Sequence, residues 1–465
     1  MTTRRPRASA ALRANDAGCD AEWTPTQLDH VEAIAANPDL FALADILPER
    51  TNGDVGRPGT HPPVAYLLYC VLAGVIGSHR KAAALIAHPH CWNTIRRSAR
   101  KVRAIRLPRK PPTRNQCEYH RSRIAAHVEP LLARFRELVI GQARQHGCLD
   151  PAAPRSTVEL QRGTFAAVDG KVIRSPVRRI TADKWRQQGR HVDGASFVQG
   201  GDDAHPVFGT KVLLAAVRPD NTRNDRIIVD VRHVPDRGTG GEAGIAVHAL
   251  LDLTRRAPGL RGVCYDCALR GTHIDRLLKA GLQVLSPTHD GIKPTLLEQV
   301  SCPCGDTHNL WTANGRICQQ VVLDDGDVVY QPCPVAKLAA RPNPASRTWR
   351  WYLEFAAQPC GTIHTQRVDT TRDDRARSYN RAEHLRQRTK TSDNEPDSVY
   401  DNCRGWRSDA EALNDLLQST LHKGRMISFR RDRQLLVILG FAIGRNSIAR
   451  YLRLRRSADP PTAAA

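Results

Sequence analysis

Apolar positions in the first 150 residues recur at helical spacing. Val31, Ile34, Leu40, Leu43 and Ile46 predict one helix over Leu28–Leu47. Pro62-Pro63 opens an apolar run of 14 residues, Val64–Gly77. It predicts a buried helix over Val64–Ser78, too short for a bilayer span. Arg80–His88 predicts a second helix. Thr113 caps a third over Arg114–Gln145, with Ile124, Val128, Leu131, Leu132, Phe135, Leu138 and Val139 as its apolar positions. Pro151-Ala152-Ala153-Pro154 then reads as a linker.

From residue 160 the period changes. Thr164–Val168 predicts a short buried strand ending at Asp169, followed at once by Gly170. Lys211–Val217 and Arg226–Val234 are Val/Ile/Leu-rich runs joined by the turn Arg218-Pro219-Asp220-Asn221. Gly241–Leu253 reads as helix, Gly262–Tyr265 as a strand ending at Asp266, His273–Ala280 as helix and Leu282–Leu285 as a fifth strand. After Pro287 the runs are short and alternating. They predict a hairpin over Gln319–Tyr330, turning at Asp324-Asp325-Gly326, and strands over Trp349–Phe355 and Thr362–Val368. Thr371–Ser398 is dense in charge and reads as an exposed strap. A helix resumes at Arg404, with Trp406, Ala410, Leu413, Leu417 and Leu421 on one face and Arg407, Glu411, Asn414 and Gln418 on another. A buried-type run, Leu435–Ile443, precedes Arg450, Arg453, Arg455 and Arg456.

Charge adds a partner to this outline. The 465 residues carry a net charge of +22 and a pI near 9.9, which favours a polyanion. The charge is clustered: Val55–Cys117 holds 12 Lys or Arg and no Asp or Glu. Arg96, Arg97, Arg100, Lys101 and Arg103 are its densest part, an array that counterion release from a nucleic-acid backbone rewards. Helices joined by tight basic turns fit a helical DNA-binding domain. The N-terminal twenty residues lack a secretory apolar core. The 13 scattered cysteines fit reduced thiols, so a cytosolic, membrane-free location is expected.

Three acids in separate segments, Asp169, Asp266 and Glu411, are the candidate chemistry. Carboxylates supply the oxygen ligands Mg²⁺ prefers, and Mn²⁺ accepts the same set. A pair of such ions stabilises the attacking and leaving oxygens of phosphoryl transfer. Each acid also has a plain reading: Asp169 as a solvated strand-end acid, Asp266 as a turn or cap residue, and Glu411 as the partner of Arg407 in a surface ion pair. Asp236, Glu242 and Asp409 compete; Asp236 and Glu242, in a Gly-rich loop before a helix, rank as neighbours of the site rather than ligands. Cys264 and Cys267 read as small buried thiols. Cys302, Cys304, His308, Cys318 and Cys333 are the better metal group, with a spacing irregular for zinc.

Asp169-Gly170-Lys171-x-x-Arg174, Tyr265-Asp266-Cys267-Ala268-Leu269-Arg270-Gly271 and Arg407-x-x-x-Glu411 resemble the three acid motifs of DDE transposases of bacterial insertion sequences. The first two acids are 97 residues apart and Glu411 follows 145 later. Gly56-Arg57-Pro58 resembles the entry to that family's helical domain. Arg404 and Gln418 depart from the related signature, standing where a tyrosine and a lysine are usual. The resemblance implies an α/β fold with a ribonuclease H-like catalytic core, an N-terminal helical domain and a β-rich insertion before the Glu helix. The divisions would be 1–150 helical and DNA-binding, 155–290 first part of the core, 291–395 insertion, and 396–456 the rest of the core. It further implies Mg²⁺ on Asp169, Asp266 and Glu411, with Lys171, Arg174, Arg404 and Arg407 on phosphates. The partners would be terminal inverted repeats and target DNA, bound by a homodimer. A DNA-binding protein that has lost catalysis and a ribonuclease H-like nuclease without strand transfer share these motifs.

Overall fold

The computed structural model describes residues 26–458 except 50–59, 158, 200–204, 220–221, 223, 239, 270, 288–292, 314–315, 369–402 and 404. The predicted strap Thr371–Ser398, Gly56-Arg57-Pro58 and Arg404 lie outside the described residues. In chain order the helices are α1 (Gln27–Ala35), α2 (Pro38–Ala44), α3 (Pro63–Ile76), α4 (His79–Ala87), α5 (Pro89–Arg103), α6 (Arg114–Ala125), α7 (Val128–Gln145), α8 (Arg179–Gln187), α9 (Gly241–Arg256), α10 (Gly271–Lys279), α11 (Ser408–Thr420) and α12 (Arg431–Ala458). The strands are β1 (Phe165–Arg174), β2 (Ala195–Gln199), β3 (His205–Val217), β4 (Ile227–Val234), β5 (Gly262–Cys264), β6 (Gln283–Leu285), β7 (Thr295–Ser301), β8 (Thr307–Ala313), β9 (Arg316–Val322), β10 (Val328–Pro332), β11 (Val335–Asn343), β12 (Thr348–Ala356) and β13 (Ile363–Arg367). The fold is mixed α/β with several sheets, divided into two compact units.

The first unit takes Met1–Cys148, Gly170–Asp236 and Ala412–Ala465. Its centre is α3, buried from Val64 to Gly74, crossed by the apolar middle of α12. Glycines set that crossing: a Cβ on Gly74 would lie 2.4 Å from the Phe441 nitrogen, and one on Gly440 2.7 Å from the Cys70 carbonyl oxygen. α12 is long and apolar enough to cross a membrane, yet 78% of its apolar window is buried within the protein. Strand β3 pairs antiparallel with β2 through its first half and with β4 through its second, with a bulge at Ala215/Ala216. Opposite the bulge, the Asn446 side chain of α12 receives the Ile228 N–H at 2.8 Å and donates to the Ile228 carbonyl at 2.9 Å. Asp230, fully buried on β4, is neutralised by Arg136 at 2.7 Å and Arg232 at 2.9 Å.

Three helical expectations change here. The helix predicted over Leu28–Leu47 is two, because Asn37 caps a new start at 3.1 Å from the Asp39 nitrogen and Pro38 occupies its first turn. The helix predicted over Arg114–Gln145 breaks at Ala126-His127, because Pro130, in the first turn of α7, has no N–H for the Ala126 carbonyl four residues back. The arginine-rich stretch after His88 is helix α5, begun by Pro89, with Cys91, Trp92, Ile95 and Ala99 facing inward and the basic residues outward.

The second unit takes Leu149–Asp169 and Arg237–Glu411. The first half of β1 lies parallel to β5, and β5 parallel to β6, with Ala167 opposite Cys264 and Cys264 opposite Leu285. Gly262 is required there: a Cβ would stand 2.1 Å from Cε1 of Phe165. The second half of β1 belongs to the first unit, where the Ser175 N–H reaches the Phe208 carbonyl of β3 at 3.0 Å. Hydrogen bonding therefore runs β2-β3-β1-β5-β6, with β4 also on β3. Two antiparallel sheets, β10-β9-β8-β7 and β11-β12-β13, follow. The second is anchored by Trp351, whose indole N–H donates to the Leu278 carbonyl at 2.7 Å, and by Arg155, stacked 4.1 Å over the Trp349 ring.

Candidate active site

Strand β1 does not stop at Asp169. Phe165–Val168 are buried, Asp169, Gly170 and Lys171 half-buried, and Val172 and Ile173 buried again. The two further apolar residues continue the strand, and the glycine between does not end it. Asp169 thus lies within β1, where exposure rises for three residues. Register then places Asp266. Ala167 pairs with Cys264, so Asp169 and Asp266 each sit two residues beyond paired positions of neighbouring parallel strands. Residues two apart along a strand share a face. Just past β5, Asp266 Oδ1 accepts the Ala268 N–H at 2.9 Å, which fixes the carboxylate in a turn.

The third acid beside them is Glu242. It occupies the first turn of α9, entered through Gly240 at φ +73°, where the helix dipole favours a carboxylate. Asp169, Glu242 and Asp266 offer oxygens that all lie within 4.8 Å of one another, and all three residues are half-buried. Tyr265, fully buried, donates its hydroxyl to Glu242 Oε1 at 2.9 Å. Burial, and then the charges of Glu242, Asp266 and Asp169, raise the Tyr265 hydroxyl well above its ordinary range, so it remains a donor. Carboxylates this close repel by about 3 kcal/mol per pair at an effective dielectric near 20. A divalent cation held by all three would offset that repulsion, since carboxylates are the oxygen donors such ions take.

Glu411 is not in that group of three. It lies on α11 with its carboxylate 2.7 Å from Nη2 of Arg407, the two side chains 47% and 29% exposed. Of the competing acids, Asp409 is buried on Arg162 at 2.7 Å and Asp236 is exposed in the first unit. Lys171 is 3.5 Å from Asp415, and Arg174 is exposed with its carbonyl accepting the Met426 N–H at 2.8 Å. On α5, Arg97, Arg100, Lys101 and Arg103 are exposed; Arg103 pairs with Asp45, and half-buried Arg96 donates to the Leu107 carbonyl at 3.3 Å.

The cysteines separate into two kinds. Cys264 is buried, its thiol pushed well up by burial, whereas Cys267 is exposed on the turn. Cys318 and Cys333 are buried, and burial pushes Cys333 up to about 12. Cys302, Cys304 and His308 come together with Cys360, a residue the spacing did not single out. Glu242 stands beside the two aspartates for a reason its sequence context does not carry: an acid opening a helix after a Gly-rich loop is common, and its proximity to Asp169 depends on how α9 returns to the strands. No protein-family model matches the chain, and no curated protein is significantly similar to it in sequence.

Proposed function

We propose that the chain is a DNA transposase of the DDE type, cleaving the ends of an insertion sequence and transferring the freed strands to target DNA. The observation that carries this reading is the cluster of Asp169, Asp266 and Glu242 on two neighbouring parallel strands and a helix N-terminus. The strand order β4-β3-β1-β5-β6, with β3 and β4 antiparallel and β1 parallel to β5, supports a ribonuclease H-like core. In this reading Asp169 and Asp266 hold the metal from the strands and Glu242 completes the cluster, with Tyr265 fixing the Glu242 rotamer. Bound Mg²⁺ or Mn²⁺ supplies charge stabilisation for the attacking and leaving oxygens. Glu411 stays a candidate fourth ligand, with Arg407 positioning it or neutralising a phosphate, and Lys171 and Arg174, further along β1, neutralise phosphates. The exposed basic face of α5 takes terminal-repeat DNA, and a homodimer pairs two ends. The cytosol is the expected compartment.

One observation favours a second reading, a nuclease without strand transfer: the cluster is complete without Glu411, which is engaged by Arg407. One assay addresses both. Labelled DNA from the flanks of the gene is incubated with protein, Mg²⁺ and a target plasmid. Asp169→Asn and Asp266→Asn are expected to lower cleavage at least about a hundredfold, the scale of losing a charge-stabilising group. Wild-type-like Mg²⁺-dependent cleavage by both variants overturns the site. Cleaved but unjoined ends select the nuclease. Glu242→Gln and Glu411→Gln, compared side by side, assign the remaining ligand.

A further inference from the structure

We propose that Cys302, Cys304, His308 and Cys360 bind a structural zinc ion that joins the two small sheets of the second unit. Cys302 and Cys304 sit in the tight turn between β7 and β8, where the Cys302 N–H bonds the Asp306 carbonyl at 2.8 Å and Gly305 adopts φ +96°. His308 is the second residue of β8. Cys360 comes from the turn between β12 and β13, closed by the Gly361 N–H on the Ala357 carbonyl at 2.7 Å. The four ligand atoms lie within 4.8 Å of one another.

The individual distances match a tetrahedron. With Zn–S near 2.3 Å and Zn–N near 2.0 Å, tetrahedral edges are about 3.8 Å between sulfurs and about 3.5 Å between sulfur and nitrogen. The Sγ atoms of Cys302 and Cys360 are 3.6 Å apart, and Nε2 of His308 is 3.7 Å from Cys304 Sγ and 3.4 Å from Cys360 Sγ. A Cys302–Cys360 disulfide requires about 2.05 Å. Nδ1 of His308 faces the Gln319 side-chain amide at 3.2 Å, and that amide is itself bonded to the Gln358 backbone at 2.8 and 2.6 Å. Four protein ligands leave no position for water, which makes the site structural rather than catalytic.

The surroundings give the ion a task. Of the larger aliphatic side chains on the described β7–β10 strands, only Leu310 and Ile317 are buried, while Leu296, Val322, Val328 and Val329 are exposed. A sheet with so thin a core gains from a cross-link to its neighbour. Cys302, Cys304 and His308 come from the first sheet and Cys360 from the second, so one ion ties β7-β8 to β12-β13.

The test uses the full chain purified without chelators. Elemental analysis is expected to give one zinc per chain, and cobalt exchange the absorption of a tetrahedral thiolate site. Alkylation mapped by peptide mass should leave Cys304 and Cys360 protected until a zinc chelator is added, while Cys267, equally exposed, reacts at once. Cys304→Ser and His308→Ala should lose most of the zinc; Cys318→Ser, Cys333→Ser and Asp169→Asn should keep it. Absence of zinc after incubation with zinc salts, prompt alkylation of Cys304 and Cys360 in the wild-type chain, or a Cys302–Cys360 disulfide overturns the proposal. The alkylation arm needs no variant, so misfolding of a substituted protein does not obscure it.

Discussion

At the scale of the residue, partners reassign what composition suggests. Arg407 and Glu411 satisfy both a motif and an ordinary helical ion pair, and their 2.7 Å contact, between a half-buried and an exposed side chain, is compatible with either. Glu242 gains standing from the oxygens beside it rather than from its sequence context. His79 shows the same dependence. It is half-buried, receives an Arg121 N–H on Nε2 at 2.7 Å, and is lowered from 6.5 to about 4 by desolvation first and Arg121 next. A histidine depressed in the folded state takes its proton first in the unfolded chain. Its contribution to stability is present above pH 6.5 and is lost as pH falls through about 4. Up to about 3 kcal/mol is at stake. Denaturant midpoints measured between pH 7 and pH 4 should fall steeply for the wild type and less steeply for His79→Gln.

At the scale of the element, the periodicity located most helices and core strands, and it failed where the cause was not periodic. Asn37-Pro38 restarts a helix by capping, and Pro130 in the first turn of α7 marks the break at Ala126-His127; both are local chemistry that periodicity misses. Strand β1 outran its expected end because Val172 and Ile173 are buried beyond the acid. The α3–α12 crossing depends on Gly74 and Gly440, whose missing side chains let two backbones meet. Gly440→Ala puts a methyl 2.7 Å from a backbone oxygen that cannot rotate away. It should destabilise the first unit by about 1–3 kcal/mol, seen as a lower thermal midpoint. An unchanged midpoint would mean the helices separate there without cost.

At the scale of the whole molecule, charge makes the broadest statement. The net +22 is a property of the sequence, but α5 turns a basic stretch into a basic face. Arg97, Arg100 and Lys101 are exposed there, whereas Arg96 is engaged with Leu107. Replacing the three exposed cations by glutamine should weaken DNA binding across sequences and reduce the salt slope by up to about 3. Arg96→Gln should change the slope by less than 1. Filter binding or anisotropy from 50 to 300 mM salt reads both; equal slopes for wild type and triple variant would remove α5 from the interface.

What the sequence determined by itself was local: the helical first third, the change to α/β periodicity near residue 160, the β-rich stretch after Pro287, and the acids at Asp169 and Asp266. These follow from side-chain spacing and turn chemistry, which act over a few residues. Parallel register brought those two acids level, and the return of α9 added Glu242. The meeting of two hairpin turns placed Cys360, 52 residues on, beside His308. Such pairings are set by which apolar faces bury against each other across long loops, and only the folded chain decides them.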